Sequence, residues 1–180
     1  FTGCLKDKGF DNYEYGINDP DTQPPGVGFP LGAKAKNPFG LDVSGSAQVV
    51  NDMVYVNLNA GNPAPSDITI TLEIKSSEII SAYNTANGTN VQVLNPSLYS
   101  VPLTLTIPAG QRNVQVPLTV PSTLTLNPNL AYGVGLRITA VSGNYVIADN
   151  LKNLFIEFTI KNKYDGRYVL RGYHNRTPYT

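Results

Sequence analysis

The chain has 180 residues, 41% of them hydrophobic, which is enough material for one globular domain and part of another. Only 14% of the residues are charged and the net charge is zero, so the sequence lacks the basic field that attracts nucleic acid or anionic lipid headgroups. A single cysteine excludes an internal disulfide, and a surface rich in Asn, Thr, Ser, Gly and Pro is typical of extracellular β-proteins.

That cysteine lies at the front of the chain, in Phe1-Thr2-Gly3-Cys4. A bacterial lipoprotein signal ends in an apolar residue, a small residue, Gly or Ala, and then the cysteine whose sulfur receives diacylglycerol. We therefore expect residues 1–3 to be a signal-peptide remnant and Cys4 to carry a lipid that attaches the protein to the membrane. The alternative is a free cysteine that stands there by chance.

Residues 4–45 are dense in Gly, Pro, Asn and Asp, which break regular elements. The composition predicts a lipid-anchored tether. The segment also contains scattered aromatic residues, so a second interpretation places part of it against the folded body as an irregular strand.

From Ser46 to Asn162 the apolar residues recur with period two, which predicts strands with one face in a core. The pattern changes once, between Ser76 and Asn84, where Ile79, Ile80 and Tyr83 share one side of a short helix with a serine cap. The residues expected to face the core are Ala47, Val49, Val54, Val56, Leu58, Ile68, Ile70, Leu72, Ile74, Leu103, Leu105, Ile107, Val114, Val116, Leu118, Val120, Val134, Leu136 and Ile138.

About seven strands separated by turn signals predict an all-β domain over residues 46–162, an immunoglobulin-like antiparallel β-sandwich with one short helix. A small closed barrel is the structural alternative. Residues 163–180 begin a new alternating pattern, and we expect either the start of a second β-domain or a terminal strand of the first.

The sequence contains few groups that could carry catalysis. The only histidine is His174 and the only cysteine is Cys4, and both lie outside the predicted domain. Within that domain, therefore, a Cys-His pair, a Ser-His-Asp triad and a zinc site each lack the residues they need. The carboxylates of the predicted domain are expected to be isolated surface charges; they are Asp52, Asp67, Glu73, Glu78, Asp149 and Glu157. We therefore predict no catalytic residue, no metal and no cofactor.

Two tyrosines are candidates for contact with glycans, which stack on flat aromatic rings. Tyr55 occupies an outward position of its strand, and Tyr145 follows the predicted turn at Gly143-Asn144. The alternative is that both are ordinary amphipathic surface tyrosines.

Several segments together resemble one known family. They are Tyr83-Asn84 after a short helix, Tyr99 after Asn95-Pro96, Ile107-Pro108-Ala109-Gly110 between strands, and Lys161-Asn162-Lys163-Tyr164-Asp165-Gly166. In order and spacing they are similar to the N-terminal domain of Bacteroidetes surface lipoproteins, the domain of unknown function 1735 type, which also precedes family-18 endo-β-N-acetylglucosaminidases. The resemblance implies a lipidated N-terminus, a sandwich fold and residence beside glycan-capture machinery. It transfers no catalytic residue.

Three functions fit these observations. The leading hypothesis is a noncatalytic lipoprotein module of the outer membrane, displayed at the cell surface or facing the periplasm, that spaces or presents a partner domain and contacts glycans or outer-membrane transport proteins. The second is a structural subunit of a surface fibre, joined through an exposed edge strand. The third is the accessory N-terminal domain of a glycoside hydrolase.

Overall fold

The computed structural model describes residues 25–50 and 54–161, together with residues 164, 169, 171 and 172. This part of the chain contains twelve strands and one α-helix, α1 (Ser76–Asn87). The strands are β1 (Gly26–Gly28), β2 (Asn37–Asp42), β3 (Gln48–Val50), β4 (Tyr55–Asn59), β5 (Ile68–Ile74), β6 (Gln92–Val93), β7 (Thr104–Ile107), β8 (Asn113–Gln115), β9 (Leu118–Val120), β10 (Ala131–Val141), β11 (Val146–Ile147) and β12 (Asn153–Lys161). Short 3₁₀ turns lie at Pro30–Ala33, Pro96–Leu98 and Asp149–Leu151.

The larger sheet has the strand order β2-β12-β10-β5-β7, and β6 pairs with the first residues of β10. Neighbouring strands from β12 to β7 are antiparallel, whereas β2 runs parallel to β12. The long strands β10 and β12 stay in register from the pair Ala131 and Thr159 to the pair Arg137 and Asn153. They form the centre of the sheet.

The opposite layer consists of a smaller sheet in the order β11-β1-β4-β8 and the two-stranded sheet β3-β9. One contiguous hydrophobic core holds residues from all three sheets. Its largest fully buried side chains are Phe29, Leu41, Leu58, Ile68, Ile70, Leu94, Ile107, Leu118, Leu136, Ile138 and Phe158. The predicted all-β sandwich with one helix is confirmed.

The described part has more strands than the seven expected. Four of them, β1, β2, β6 and β11, lie where the period-two pattern predicted none. One predicted strand is also divided into β8 and β9, because Pro117 has no N–H for a ladder and the chain changes there from the smaller sheet to the β3-β9 pair. Strand β8 lies at an edge of the smaller sheet.

The predicted facing of side chains is confirmed in the regular strands. In β5 the residues Ile68, Ile70 and Leu72 are buried while the threonines between them are exposed. The prediction is wrong for Val49, which is 46% exposed while Val50 is 2% exposed. Two adjacent valines do not fix which one points inward; pairing with β9 does, because Val50 lies opposite the buried Leu118. Leu103 likewise lies outside β7 and is exposed.

The sandwich also includes residues that the sequence analysis placed in the tether. Strand β1 pairs with β4, and β2 pairs with β12. Phe29 and Leu41 are fully buried. This segment has few apolar residues, and the glycines and prolines among them interrupt the period-two pattern from which strands were predicted. Its second interpretation, in which part of the segment lies against the body, describes residues 26–42.

Helix α1 lies on the outer face of the larger sheet. Ile80, Val91 and Phe155 form a second small core there, with Tyr83 packed edge-on against Phe155. The predicted serine cap is wrong: Lys75 is the N-cap residue and makes no side-chain cap, while the Ser76 hydroxyl accepts a hydrogen bond from the Gly135 N–H. The helix ends before Gly88, whose φ of 63° favours glycine.

Candidate functional site

The outer face of the smaller sheet carries a group of uncharged polar side chains on the neighbouring strands β4 and β8. Tyr55 lies opposite Gln115, and Asn57 lies opposite Asn113. These four residues line an open depression with a volume of about 260 Å³. We call this depression the amide groove.

The local sequence explains why these side chains share one face. Val56 and Leu58 are 0% and 2% exposed in the core, so the alternation of a strand turns Tyr55, Asn57 and Asn59 outward. On β8 the same alternation turns Val114 toward the core and leaves Asn113 and Gln115 exposed. Burial of the valines and leucine therefore presents the groove residues to solvent.

Hydrogen bonds within the groove leave much of its capacity open. The Asn57 side-chain N–H₂ donates to the Leu58 carbonyl at 3.2 Å and to Asn59 Oδ1 at 2.8 Å. This leaves Asn57 Oδ1 as a free acceptor and the Asn59 side-chain N–H₂ as a free donor. Within residues 54–161 no protein group bonds the side-chain amides of Asn113 or Gln115. The groove thus offers unpaired donors and acceptors side by side.

The groove is also electrically neutral among the described residues. The cationic residue nearest in sequence is Arg112. Its backbone carbonyl accepts a hydrogen bond from the Leu58 N–H, so Arg112 lies opposite a core-facing residue of β4. Its guanidinium donates to the carbonyls of Ala60 and Gly61 at the end of the sheet. Neither a carboxylate nor an ammonium group lines the groove.

The carboxylates of the described sandwich lie outside the groove, and the four described next each bond to one partner. Glu73 pairs with Lys75, Glu78 with Arg137 and Asp149 with Lys152, each at 2.5 to 2.6 Å. Asp67 accepts a hydrogen bond from the Ala109 N–H at 2.8 Å. No two of these groups flank a common cleft in the described part, as general acid and base do in glycoside hydrolysis.

Glu157 is the exception to the prediction that these carboxylates are surface charges. It is only 6% exposed on β12, and its Oε2 lies 2.5 Å from Lys36 Nζ. The sequence pattern placed it on an outward position, which is correct, but α1 and its neighbours cover that part of the sheet. The Lys36 ammonium also lies 5.9 Å from the centre of the Tyr83 ring.

These ion pairs account for the displaced pKa values. The hydrogen bond from Arg137 lowers the pKa of Glu78, and the one from Lys152 lowers the pKa of Asp149. The hydrogen bond to Glu157 raises the pKa of Lys36. None of the three groups belongs to the amide groove, so its chemistry is hydrogen bonding and ring contact.

The structure does not bring the two candidate tyrosines together. Tyr55 begins β4 beside the edge strand β8, whereas Tyr145 precedes β11 at the opposite edge of the smaller sheet. Tyr145 packs against the hydrophobic core, and its ring covers Gly143. Tyr145 thus packs partly against the core, whereas Tyr55 lines the open depression, and glycan contact by either ring stays a prediction.

The turn that contains Ala148 and Leu151 lies over β1, the neighbour of β4 on the side away from β8. Ala148 and Leu151 lie over the glycines of β1, so close that a Cβ on Gly28 would lie 2.6 Å from Leu151 Cβ. The Ala148 N–H donates to Val27, and the Phe29 N–H donates to Leu151, both through backbone carbonyls. The turn forms a raised wall along β1, and the groove stays open on β4 and β8.

The sequence analysis missed Asn113 and Gln115 as site residues. The alternation of β4 pointed to Tyr55 and Asn57. The pairing of β4 with β8, however, joins segments far apart in the chain, and no local pattern specifies it. The signal that was present is the run Asn113-Val114-Gln115-Val116, in which amides alternate with valines.

Several other sequence features can be compared with the structure only where it describes the residues concerned. Cys4, the predicted lipidation site, and His174 lie outside the residues that the structure describes. Within the described residues, no three His, Cys, Asp or Glu side chains group as metal ligands do. None of the helices in this part has the length and apolar character needed to cross a bilayer.

The fold and the groove define a class of protein: a β-sandwich module with a neutral, amide-lined outer face. A family model described as "-like, N-terminal domain" matches residues 23–145, and the chain belongs to this family of N-terminal domains. No curated protein matches the chain.

Three solved structures with the same fold come from Bacteroides species. A multidomain protein including DUF1735 from Bacteroides ovatus has a TM-score of 0.62 and 12% identity over 78% of this chain and 47% of its own. A putative carbohydrate binding protein from Bacteroides ovatus ATCC 8483 has a TM-score of 0.58 and 15% identity over 75% and 37%. EndoBT-3987 from Bacteroides thetaiotamicron, solved with a Man5GlcNAc product, has a TM-score of 0.57 and 14% identity over 74% and 30%.

The chain therefore spans less than half the length of each of these proteins. At such identities the likeness shows the fold alone. Together with the family model, it confirms the resemblance to N-terminal domains of the domain of unknown function 1735 type.

Proposed function

We propose that this protein is a noncatalytic glycan-binding module, held at the outer membrane by a lipid on Cys4 and displayed at the cell surface. The observation that carries the proposal is the amide groove. Side-chain amides with unpaired donors and acceptors match the hydroxyl groups of sugars, and the half-buried ring of Tyr55 on the outer face supplies an apolar contact for a sugar face.

The comparisons support this proposal at the level of the fold. One similar structure is called a putative carbohydrate binding protein, and another was solved with an oligosaccharide product. Both come from Bacteroides species. The present chain shares their sandwich, and the amide groove is the part of that sandwich with sugar-binding chemistry.

A noncatalytic role follows from the arrangement of the acidic groups. In the described sandwich, one carboxylate contacts a backbone N–H and four contact one basic group each, and none of them lines the groove; they are Asp67, Glu73, Glu78, Asp149 and Glu157. Hydrolysis of a glycosidic bond needs two carboxyl groups across one cleft. A ligand in the groove would thus be bound without being cut.

The test is binding of the protein to an array of soluble and immobilised glycans. We expect signal from the unaltered chain and from Tyr55→Phe, which keeps the ring, and about a tenfold weaker affinity for Tyr55→Ala, which removes it. Circular dichroism on each variant checks the fold. Uniform absence of binding would contradict the proposal, as would full binding by the alanine variant.

The membrane attachment is tested separately in a Bacteroides host. The unaltered protein is expected in the outer-membrane fraction with a diacylglycerol mass on Cys4, and Cys4→Ser is expected in the soluble fraction. Protease added to whole cells distinguishes surface display from the periplasmic face. Affinity capture from the same cells tests for outer-membrane transport proteins as partners. An unmodified thiol in the native protein would overturn the anchor.

A second candidate is an accessory N-terminal domain of a glycoside hydrolase. The likeness to EndoBT-3987, of which this chain covers 30%, favours it. The two proposals are compatible, because an accessory domain with a glycan groove would hold substrate near a catalytic domain. The length of the reading frame decides between them, since a catalytic barrel adds about 250 residues.

The third hypothesis, a fibre subunit, lacks support in the described sandwich. The edge strands of its larger sheet are β2, which contains Pro38, and β7, which has four residues and is followed by Pro108. The edges of the smaller sheet, β8 and β11, have three and two residues. Short strands with proline are poor templates for a partner's strand.

A further inference from the structure

We infer that the ligand of the amide groove is a neutral oligosaccharide, longer than one sugar ring, laid along β4. This inference rests on the proposed function and specifies its ligand class. It is argued from the charge of the groove, the direction of its hydrogen-bonding groups and its length.

The charge of the groove selects against ionised sugars. Among the residues that the structure describes, one tyrosine and three amides line the groove. The basic residue nearest to them in sequence, Arg112, lies opposite core-facing Leu58, and its guanidinium donates to two backbone carbonyls. A uronate or sulfated sugar would lose hydration in the groove without gaining a counter-charge. Neutral hydroxyl groups meet no such cost, because each amide can return the hydrogen bonds that water supplied.

One hydrogen bond, from Asn57 to its neighbour Asn59, sets the order of acceptor and donor groups along β4. The bond from Asn57 to Asn59 Oδ1 fixes both side chains, so that Asn57 presents its oxygen and Asn59 presents its N–H₂. Acceptor and donor are thus held in a set order along β4 before a ligand arrives. Such preorganisation reduces the entropy lost on binding. Hydroxyl groups of successive sugar rings can donate to the first and accept from the second.

The polar outer face of β4 continues beyond the amide groove to Asn59, and a ligand that contacts both Tyr55 and Asn59 has more than one ring. Tyr55 and Asn59 are the first and last residues of β4 and share its outer face. At about 3.3 Å per residue they are about 13 Å apart along the strand, which exceeds the length of a single pyranose. The wall formed by Ala148 and Leu151 borders this path on the β1 side, so the open direction runs along the strand.

The experiment is calorimetric titration of the chain with three sets of probes. The first is a size series, from monosaccharide to hexasaccharide, of the neutral polysaccharide that gives the strongest array signal. The second is oligogalacturonate of matched length. The third repeats the neutral hexasaccharide with variants Asn57→Ala and Asn113→Asp, and with Asn90→Ala as the matched control on the far side of the sandwich, where its amide bonds only Gln92.

We expect affinity to rise at least tenfold between the monosaccharide and the longer chains, and the acidic chain to bind at least tenfold more weakly. Asn57→Ala and Asn113→Asp should each lower affinity about fivefold to tenfold, and Asn90→Ala should leave it unchanged. Equal affinity for the monosaccharide, preference for the acidic chain, or equal loss in the control would each overturn the inference. In all three cases the protein still binds glycans, so the proposed function survives. If none of the glycans binds, the proposed function fails and the inference fails with it.

Discussion

The two outer faces of the sandwich are built differently. On the larger sheet, helix α1 covers the outer face, and Ile80 and Phe155 are 1% and 3% exposed beneath it. On the smaller sheet, the outer face of β4 and β8 is open and carries Tyr55 and amides. At β12 the larger sheet is thus buried on both faces, although its outer face is exposed at β5, whereas the smaller sheet at β4 and β8 is buried on one face.

The sequences of the strands reflect this difference. Strand β12 is buried without interruption from Leu154 to Phe158, as expected for a strand covered on both faces. Strand β4 alternates between buried and half-buried residues, as expected for a strand with one wet face. The comparison indicates that the covered face supplies stability, while the open face is free to evolve contacts with a ligand.

The largest expected effect on stability comes from the covered face. Phe155→Ala removes a ring that packs with its centre 5.0 Å from that of Tyr83, and leaves a cavity under α1. We expect it to lower the free energy of unfolding by about 3–5 kcal/mol, measured by urea titration. Asn57→Ala on the open face is expected to change it by less than about 0.5 kcal/mol. Similar losses in both variants would contradict the division between the two faces.

A smaller effect is expected where the helix approaches the sheet closely. A Cβ on Gly135 would lie 3.0 Å from Ile79 Cβ and 3.1 Å from Ser76 Cα, so Gly135→Ala forces α1 away from β10. We expect a loss of about 1–3 kcal/mol in the same titration. The matched control is Gly61→Ala, where a Cβ has no atom within 4 Å. If Gly135→Ala is as stable as the control, the helix does not depend on this close approach.

The smallest effect is a dependence on alkaline pH that involves Lys36, beside Tyr83 of α1, and Tyr99 in the main core. The bond to Glu157 raises the pKa of Lys36 above 10.5, and burial raises the pKa of Tyr99 above 10.0. Both groups bind protons more tightly in the folded state. Their stabilisation is therefore complete below their unfolded pKa values and is lost as the pH rises through the folded ones.

We expect the free energy of unfolding to fall as the pH rises above about 10, and to fall less in Tyr99→Phe. That substitution also removes a buried hydroxyl without a hydrogen-bond partner in the described structure, so at neutral pH it should be neutral or slightly stabilising. Urea titrations at several pH values measure both effects. A steeper fall in the phenylalanine variant would contradict the assignment.

Much of the sandwich could be predicted from period-two patterns, because apolar and polar residues alternate along a strand that has one buried face. Ile68, Ile70 and Leu72 in β5 and Val134, Leu136 and Ile138 in β10 are examples. Where two apolar residues are adjacent, as in Val49-Val50, the pattern is ambiguous and cross-strand pairing decides. The burial of Glu157 could not be predicted either, because it depends on the position of α1 over the sheet.

Only half of the candidate site could be predicted from the sequence. Tyr55 and Asn57 follow from the alternation of β4. Their partners Gln115 and Asn113 lie on β8, and their proximity depends on long-range pairing of the two strands. Tyr145, chosen because it follows a predicted turn, lies away from these four residues and packs partly against the core, and its contact with glycans stays a prediction.

The most direct test of the account is an NMR titration of the labelled chain with the neutral oligosaccharide that binds most strongly. We expect the side-chain amide signals of Asn57, Asn59, Asn113 and Gln115 to shift together and saturate with one dissociation constant, while signals from α1 stay in place. Shifts confined to α1 or to the covered face of the larger sheet would contradict the account.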